Sequence, residues 1–173
     1  NNKGLALDKL SSLQEAIAHY DKTLEINPRY AEAWNNKGFA LDKLGRLNEA
    51  VLHYDKALEI NPRLAFVWNN KGNALAKLGK HNEVVICYDK ALEINPRDAE
   101  VWNNKGVALA DLGKHNETII CYDKALEINP RDAEAWYNKG DALNNLGKHN
   151  EAIPCYDKAL EINPRDAGAW YNK

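Results

Sequence analysis

The sequence predicts an all-α fold, a solenoid of stacked antiparallel helix pairs built as one repeat array over 1–173. Three observations carry this. Landmarks recur at a fixed interval: Trp34, Trp68, Trp102, Trp136 and Trp170 stand 34 residues apart, as do Pro28, Pro62, Pro96, Pro130 and Pro164, and Gly4, Gly38, Gly72, Gly106 and Gly140. Within a period the apolar residues share a helical face, with Leu47, Ala50, Val51, Tyr54, Ala57 and Leu58 at i, i+3, i+4, i+7, i+10 and i+11. No segment leaves the register, so no linker or second domain is expected. Counted from three residues before each tryptophan, full repeats span 31–64, 65–98, 99–132 and 133–166, with partial repeats at 1–30 and 167–173.

Each repeat reads as two helices. The first runs from about Ala31 to Leu44 and ends at Gly45, a residue able to take the left-handed conformation past a helix end. The second runs from about Leu47 to Ile60 and stops at Asn61-Pro62, because the residue before proline is pushed out of the helical region. Asp98, Asp132 and Asp166 precede first helices and can cap them; Tyr30 and Leu64 hold that place elsewhere, so those starts lack about 1 kcal/mol. Gly38 costs about 1 kcal/mol inside a helix relative to alanine, and close approach of the partner helix near Ala50 is the expected return. Pro154 lies within a second helix and should kink or shorten it near Asn150. Neither helix hides its apolar face alone, so neighbours must stack.

Composition removes several functions. The 23 basic and 25 acidic residues give a net charge of −2, which argues against a nucleic-acid backbone as partner. No apolar run approaches the roughly 18 residues of a membrane span, so no membrane partner is expected. Cys87, Cys121 and Cys155 are odd in number and one repeat apart, which suits a reducing, cytoplasmic compartment. His81 and Cys87, like His115 and Cys121 or His149 and Cys155, are six residues apart, roughly 600° of helix, so they point to different faces and do not form a metal site. No phosphate loop, nucleophile motif or zinc knuckle occurs; no cofactor and no enzymatic activity are expected. The chain opens at Asn1 in mid-pattern and holds no methionine, which reads as a piece of a longer protein.

Trp34, Gly38, Ala50, Tyr54, Ala57 and Pro62 stand at the offsets of the tetratricopeptide repeat, and the match recurs through the whole chain. What this resemblance implies is a right-handed superhelix whose first helices line a concave groove, and a scaffold that holds an extended peptide or a partner's helix there. One departure is systematic. Lys3, Lys37, Lys71, Lys105, Lys139 and Lys173 stand where the family usually has leucine. An unpaired buried ammonium is costly, so each stem should pack while the amine reaches the aspartates Asp21, Asp55, Asp89, Asp123 and Asp157.

If first helices line the groove, one helical stripe faces it, in the first full repeat Glu32, Asn35, Asn36, Phe39, Asp42 and Lys43. The recurring amides are the leading candidates: Asn35-Asn36, Asn69-Asn70 and Asn103-Asn104, with Asn1-Asn2, Tyr137-Asn138 and Tyr171-Asn172 in the same places. Asparagine is a poor mid-helix residue, and its amide both donates and accepts, which suits the backbone of an extended peptide. The resemblance carries peptide contact to Asn36, Asn70, Asn104 and Asn138; lateral bonding between neighbouring helices is the alternative. Leu5, Phe39 and Phe66 suggest an apolar pocket in the N-terminal half, with Asn73 also on the groove, and Glu100, Asp111, Glu134 and Asp141 make the C-terminal half acidic. A partner protein or peptide with an apolar anchor and basic residues follows. Asparagines and glutamates replace the cations of the family's carboxylate-clamping subtype, which argues against a C-terminal carboxylate as ligand. The rival function is a structural element that self-associates head to tail through its terminal repeats.

Overall fold

In the computed structural model, which describes residues 2–173 and their side chains from Leu10 onward, one glycine fixes each turn within a repeat. Gly45, Gly79, Gly113 and Gly147 have φ of 74°, 73°, 72° and 74°, a region costly for a residue with a Cβ. Gly45 donates its N–H to the Asp42 carbonyl, and Arg46 donates to Leu41, each at 2.9 Å. These are the paired bonds of a Schellman end, and they recur at the other three glycines. In the partial repeat 1–30 the same place holds Ser11, and there the chain does not turn. Helix α1 runs unbroken from Asn2 to Ile26, which corrects the two-helix reading of that segment.

The remaining helices follow the predicted boundaries closely: α2 (Ala31–Lys43), α3 (Leu47–Ile60), α4 (Ala65–Lys77), α5 (His81–Ile94), α6 (Ala99–Asp111), α7 (His115–Ile128), α8 (Ala133–Asn145), α9 (His149–Ile162) and α10 (Ala167–Asn172). Between repeats the Asn-Pro-Arg turn is tied twice. The Asn61 side chain accepts from the Arg63 N–H at 3.0 Å, and Trp68 Nε1 donates to the Pro62 carbonyl at 3.0 Å. Equivalent indole bonds hold Trp34, Trp102, Trp136 and Trp170. Asp98, Asp132 and Asp166 cap α6, α8 and α10 through the N–H groups of Val101, Ala135 and Ala169. Tyr30 and Leu64 make no side-chain cap to α2 and α4.

Pro154 does not shorten α9, which keeps the same 14-residue span as α7. The proline is exposed, as is Asn150, so the carbonyl that loses its intrahelical donor can turn to water.

Two compact units form, Asn1–Ile94 and Asn95–Lys173. In the first, α2 pairs with α3 and α4 with α5, while α1 packs on α2 and α3 on α4. Its core is built from Leu41, Ala50, Tyr54, Ala57, Leu58, Val67 and Ala74, with Trp34 and Trp68 against it. In the second, α6 pairs with α7 and α8 with α9, α7 packs on α8, and α10 closes on α9. Leu143, Ala152, Cys155 and Tyr156 form one part of its core; Ala125, Leu126 and Ala135 form another, under Trp102 and Trp136. Gly38 lets the partner helix come close at Ala50, as expected, and the tightest contact at each such glycine is a tyrosine ring. A Cβ on Gly38 would lie 2.8 Å from Tyr54 Cε1, and one on Gly106 2.6 Å from Tyr122 Cε1.

The lysine row behaves as predicted. Lys37, Lys71, Lys139 and Lys173 reach Asp21, Asp55, Asp123 and Asp157 at 2.5, 2.6, 2.6 and 2.6 Å. Lys71, Lys105, Lys139 and Lys173 also lie over the tryptophan three residues earlier, 5.4 or 5.5 Å from its ring centre. The stem is covered while the charge stays paired and wet.

Candidate functional site

First helices meet directly within each unit, α2 with α4 and α6 with α8, so each unit presents a two-helix face. In the first unit that face carries two exposed rings, Phe39 at 44% and Phe66 at 47% exposure. Lys43 Nζ sits 4.9 Å from the centre of the Phe39 ring. Beside them the polar side chains bond to each other. Asn70 Nδ2 donates to Asn35 Oδ1, and Asn35 Nδ2 donates to Asn36 Oδ1, both at 3.0 Å. Lys77 Nζ donates to both oxygens of the buried Asp42 at 2.7 and 2.8 Å. Asn73 Oδ1 accepts from the Tyr88 hydroxyl at 2.6 Å, and Asn69 is half-buried and engaged as well.

In the second unit Glu100 and Glu134 are exposed, and Asn104 is half-buried and bonded. Asp141 Oδ1 accepts from the Tyr156 hydroxyl and from Asn172 Nδ2, each at 2.9 Å. The Tyr137 hydroxyl accepts from the same Asn172 amide at 3.1 Å. Between α6 and α8 lies a notch of about 190 Å³, bounded by Val107, Ala110, Asp111, Asn138, Asp141, Ala142 and Asn145, with Tyr122 among its lining. Burial and the charges of Asp111, Glu134 and Asp141 push the Tyr122 ionisation up, so it stays a neutral hydroxyl at physiological pH.

Three predicted face residues need correction. Asn35 is 5% exposed and Asn103 9% exposed, so this place in the repeat points to the neighbouring first helix rather than to a ligand. Asn35 is held by its bond to Asn70; Asn103 Oδ1 is buried with no partner. Asp42 is corrected in the same way, since Lys77 covers it. Asn36, Phe39, Phe66, Asn70, Asn73, Glu100, Asn104, Glu134, Tyr137, Asn138 and Asp141 keep some exposure. Asn1, Asn2, Lys3 and Leu5, also expected to act here or in the lysine row, lie outside the described side chains. Tyr122 was missed altogether. The signal for it is the residue fifteen places earlier: Asn73 and Asp141 accept from Tyr88 and Tyr156, whereas Val107 gives Tyr122 nothing to bond. A second missed signal is a spacing of one period plus one residue, at which Asn35–Asn70, Asp42–Lys77 and Tyr137–Asn172 all pair, each with a separation of 35.

Outside the faces, Cys87, Cys121 and Cys155 are buried free thiols, and burial pushes Cys87 up to about 11. No helix is long and apolar enough to cross a membrane, among the described residues.

The family model described as Tetratricopeptide repeat matches residues 31–64, 65–98, 99–132 and 133–166, and a second, described as TPR repeat, matches 4–45. Comparison with curated proteins found no match. Among solved structures, a crystal structure of MamA superposes with a TM-score of 0.86 at 24% identity, covering 91% of this chain and 92% of that one. MamA from Desulfovibrio magneticus RS-1 gives 0.84 at 20%, covering 96% and 94%. YrrB, described as a TPR protein with an unusual peptide-binding site, gives 0.83 at 27% identity, covering 98% of this chain and 88% of that chain.

Proposed function

The chain belongs to the tetratricopeptide repeat family of protein–protein interaction scaffolds, and from that premise we propose that it holds an extended segment of a partner protein along the faces of its first helices. The observation that carries this is the pair of exposed rings, Phe39 and Phe66, on the α2–α4 face. Aromatic side chains left uncovered on a rigid face are the usual anchors of binding energy. The partner segment presents an apolar anchor to that face and basic residues to the carboxylates Glu100, Asp111, Glu134 and Asp141. That YrrB, similar in fold and sequence, is described as having a peptide-binding site supports the same reading. The side-chain amides of Asn36, Asn70, Asn104 and Asn138 serve as contacts to the segment's backbone.

The test is selection of random displayed peptides on the immobilised chain, with affinities then read by fluorescence anisotropy at several salt concentrations. Selected peptides should combine a large apolar residue with Arg or Lys and weaken as salt rises. Phe39→Ala or Phe66→Ala should each weaken them about tenfold, the scale of truncating one anchor. Failure to enrich any peptide, or affinities untouched by first-helix substitutions, would overturn the reading.

A second reading, head-to-tail self-association, is favoured by exposed Trp170 and Tyr171 on α10. A further helix pair laid on α10 would cover both. Sedimentation over a range of concentrations decides it: a mass that rises with concentration supports association, and a constant monomer mass excludes it.

A further inference from the structure

Tyr122 is 2% exposed yet lines the notch between α6 and α8 and makes no side-chain hydrogen bond. Asn138, on the same wall, also makes none. The same places in certain other repeats are bonded. Tyr156 has Asp141, and Asn70 has Asn35. The Tyr122 ring is buried while its hydroxyl, unlike the sealed one of Tyr54, opens onto the notch, where something else can supply the partner the protein does not. The surroundings say what that something is. Two carboxylates, Asp111 and Asp141, line the same notch, and Val107, Ala110 and Ala142 supply apolar walls. At about 190 Å³ the notch is smaller than a small-molecule pocket and suited to one side chain.

We propose that the α6–α8 notch is the receptor for a single arginine side chain of the bound partner. The aliphatic stem lies on Val107 and Ala142. The guanidinium donates to the Asp111 and Asp141 carboxylates, the Asn138 carbonyl and the Tyr122 oxygen. Arginine fits better than lysine because its planar group brings five donors to acceptors spread around the notch, against three on an ammonium. Asp141 is already oriented for this by the Tyr156 hydroxyl and Asn172, both donating to Oδ1. The inference rests on the proposed docking of a partner segment and assigns one subsite within it.

The experiment titrates the isotope-labelled full chain with N-acetylarginine amide and follows backbone and Asn side-chain resonances by NMR. N-acetyllysine amide and the neutral isostere N-acetylcitrulline amide are run alongside. The arginine amide should give saturable shifts at Asn138 and along α6 and α8, with lysine several-fold weaker and citrulline silent. Asp111→Asn, a change at an exposed side chain, should weaken the arginine amide about tenfold, the scale of one charge-assisted bond. Tyr122→Phe should weaken it less while leaving the fold intact. No saturable shift, equal shifts from citrulline, or shifts unchanged in Asp111→Asn would overturn the inference. Selected peptides that bind through Phe39 while the notch stays silent would sink the subsite alone; a responsive notch without any peptide binding would sink the docking reading instead.

Discussion

Tyr54 in the first unit and Tyr122 in the second occupy the same place in the repeat, and both follow an apolar residue where Tyr88 and Tyr156 have Asn73 and Asp141. Their outcomes differ. The Tyr54 hydroxyl is sealed with no partner at all, while Tyr122 borders an open notch. At the place fifteen residues before each tyrosine, Phe39 exposes a large ring on the face, whereas the shorter Val107 lines the notch. The same two units differ at their helix starts, where α2 and α4 lack the side-chain caps that α6, α8 and α10 possess. They differ again on the face, where the first unit exposes the rings of Phe39 and Phe66 and the second exposes the carboxylates of Glu100, Asp111 and Glu134. A fixed backbone frame thus lets one side chain per repeat decide whether a polar group is buried, bonded or offered.

Four measurements sharpen or break that contrast. The largest effect belongs to the shared frame. Gly38→Ala and Gly106→Ala place a Cβ within 2.8 and 2.6 Å of a tyrosine ring, and each should cost about 2 kcal/mol in denaturant melts, overpacking outweighing the gain in helix propensity. A loss at only one of them would mean that the units do not share the glycine–tyrosine contact. Next come the caps. Asp132→Ala should cost about 1 kcal/mol, and Leu64→Asp should return about as much to α4; equal indifference at both would remove the capping difference.

The tyrosines give a difference of sign. Tyr156→Phe removes a bond to Asp141 and should lose about 1 kcal/mol, whereas Tyr54→Phe removes a buried, unpartnered hydroxyl and should be neutral or stabilising by up to about 1 kcal/mol. Losses of the same size would show Tyr54 to be bonded in solution. The smallest effect is in pH. Burial is the main cause holding the His53 imidazole, 5.5 Å from the Trp34 ring, below its ordinary value. The unfolded chain then binds that proton more readily, so the contribution is intact above about pH 6.5 and fades as pH falls through the lower folded value. His53→Cys, the residue of the other three repeats, should reduce the drop in melting temperature between pH 8 and pH 5.

Much of this was legible beforehand. The glycine turns, the Asn-Pro stops, the capped and uncapped starts and the Lys–Asp pairs are all local, and local rules of conformation and desolvation settle them. Ser11 was legible too, but the strength of the period drew the reading past it. Asn35 and Asn103 were placed on the face because they fall on the helical stripe of the first helix; a bond one period and one residue away instead offsets burial for Asn35, which no single-helix pattern reveals. The notch was beyond the pattern for another reason. It is lined by Val107 where the first full repeat has Phe39, a difference that hydrophobic periodicity treats as none.

The indole bond to the preceding turn gives the chain a built-in optical readout. Every repeat boundary with a described side chain places a tryptophan N–H on a proline carbonyl, so emission from each indole changes when its own turn lets go. Chains reduced to one tryptophan apiece would therefore report the order in which the turns melt. In a stack where each repeat leans only on its neighbours, that order is a map of which boundaries yield first.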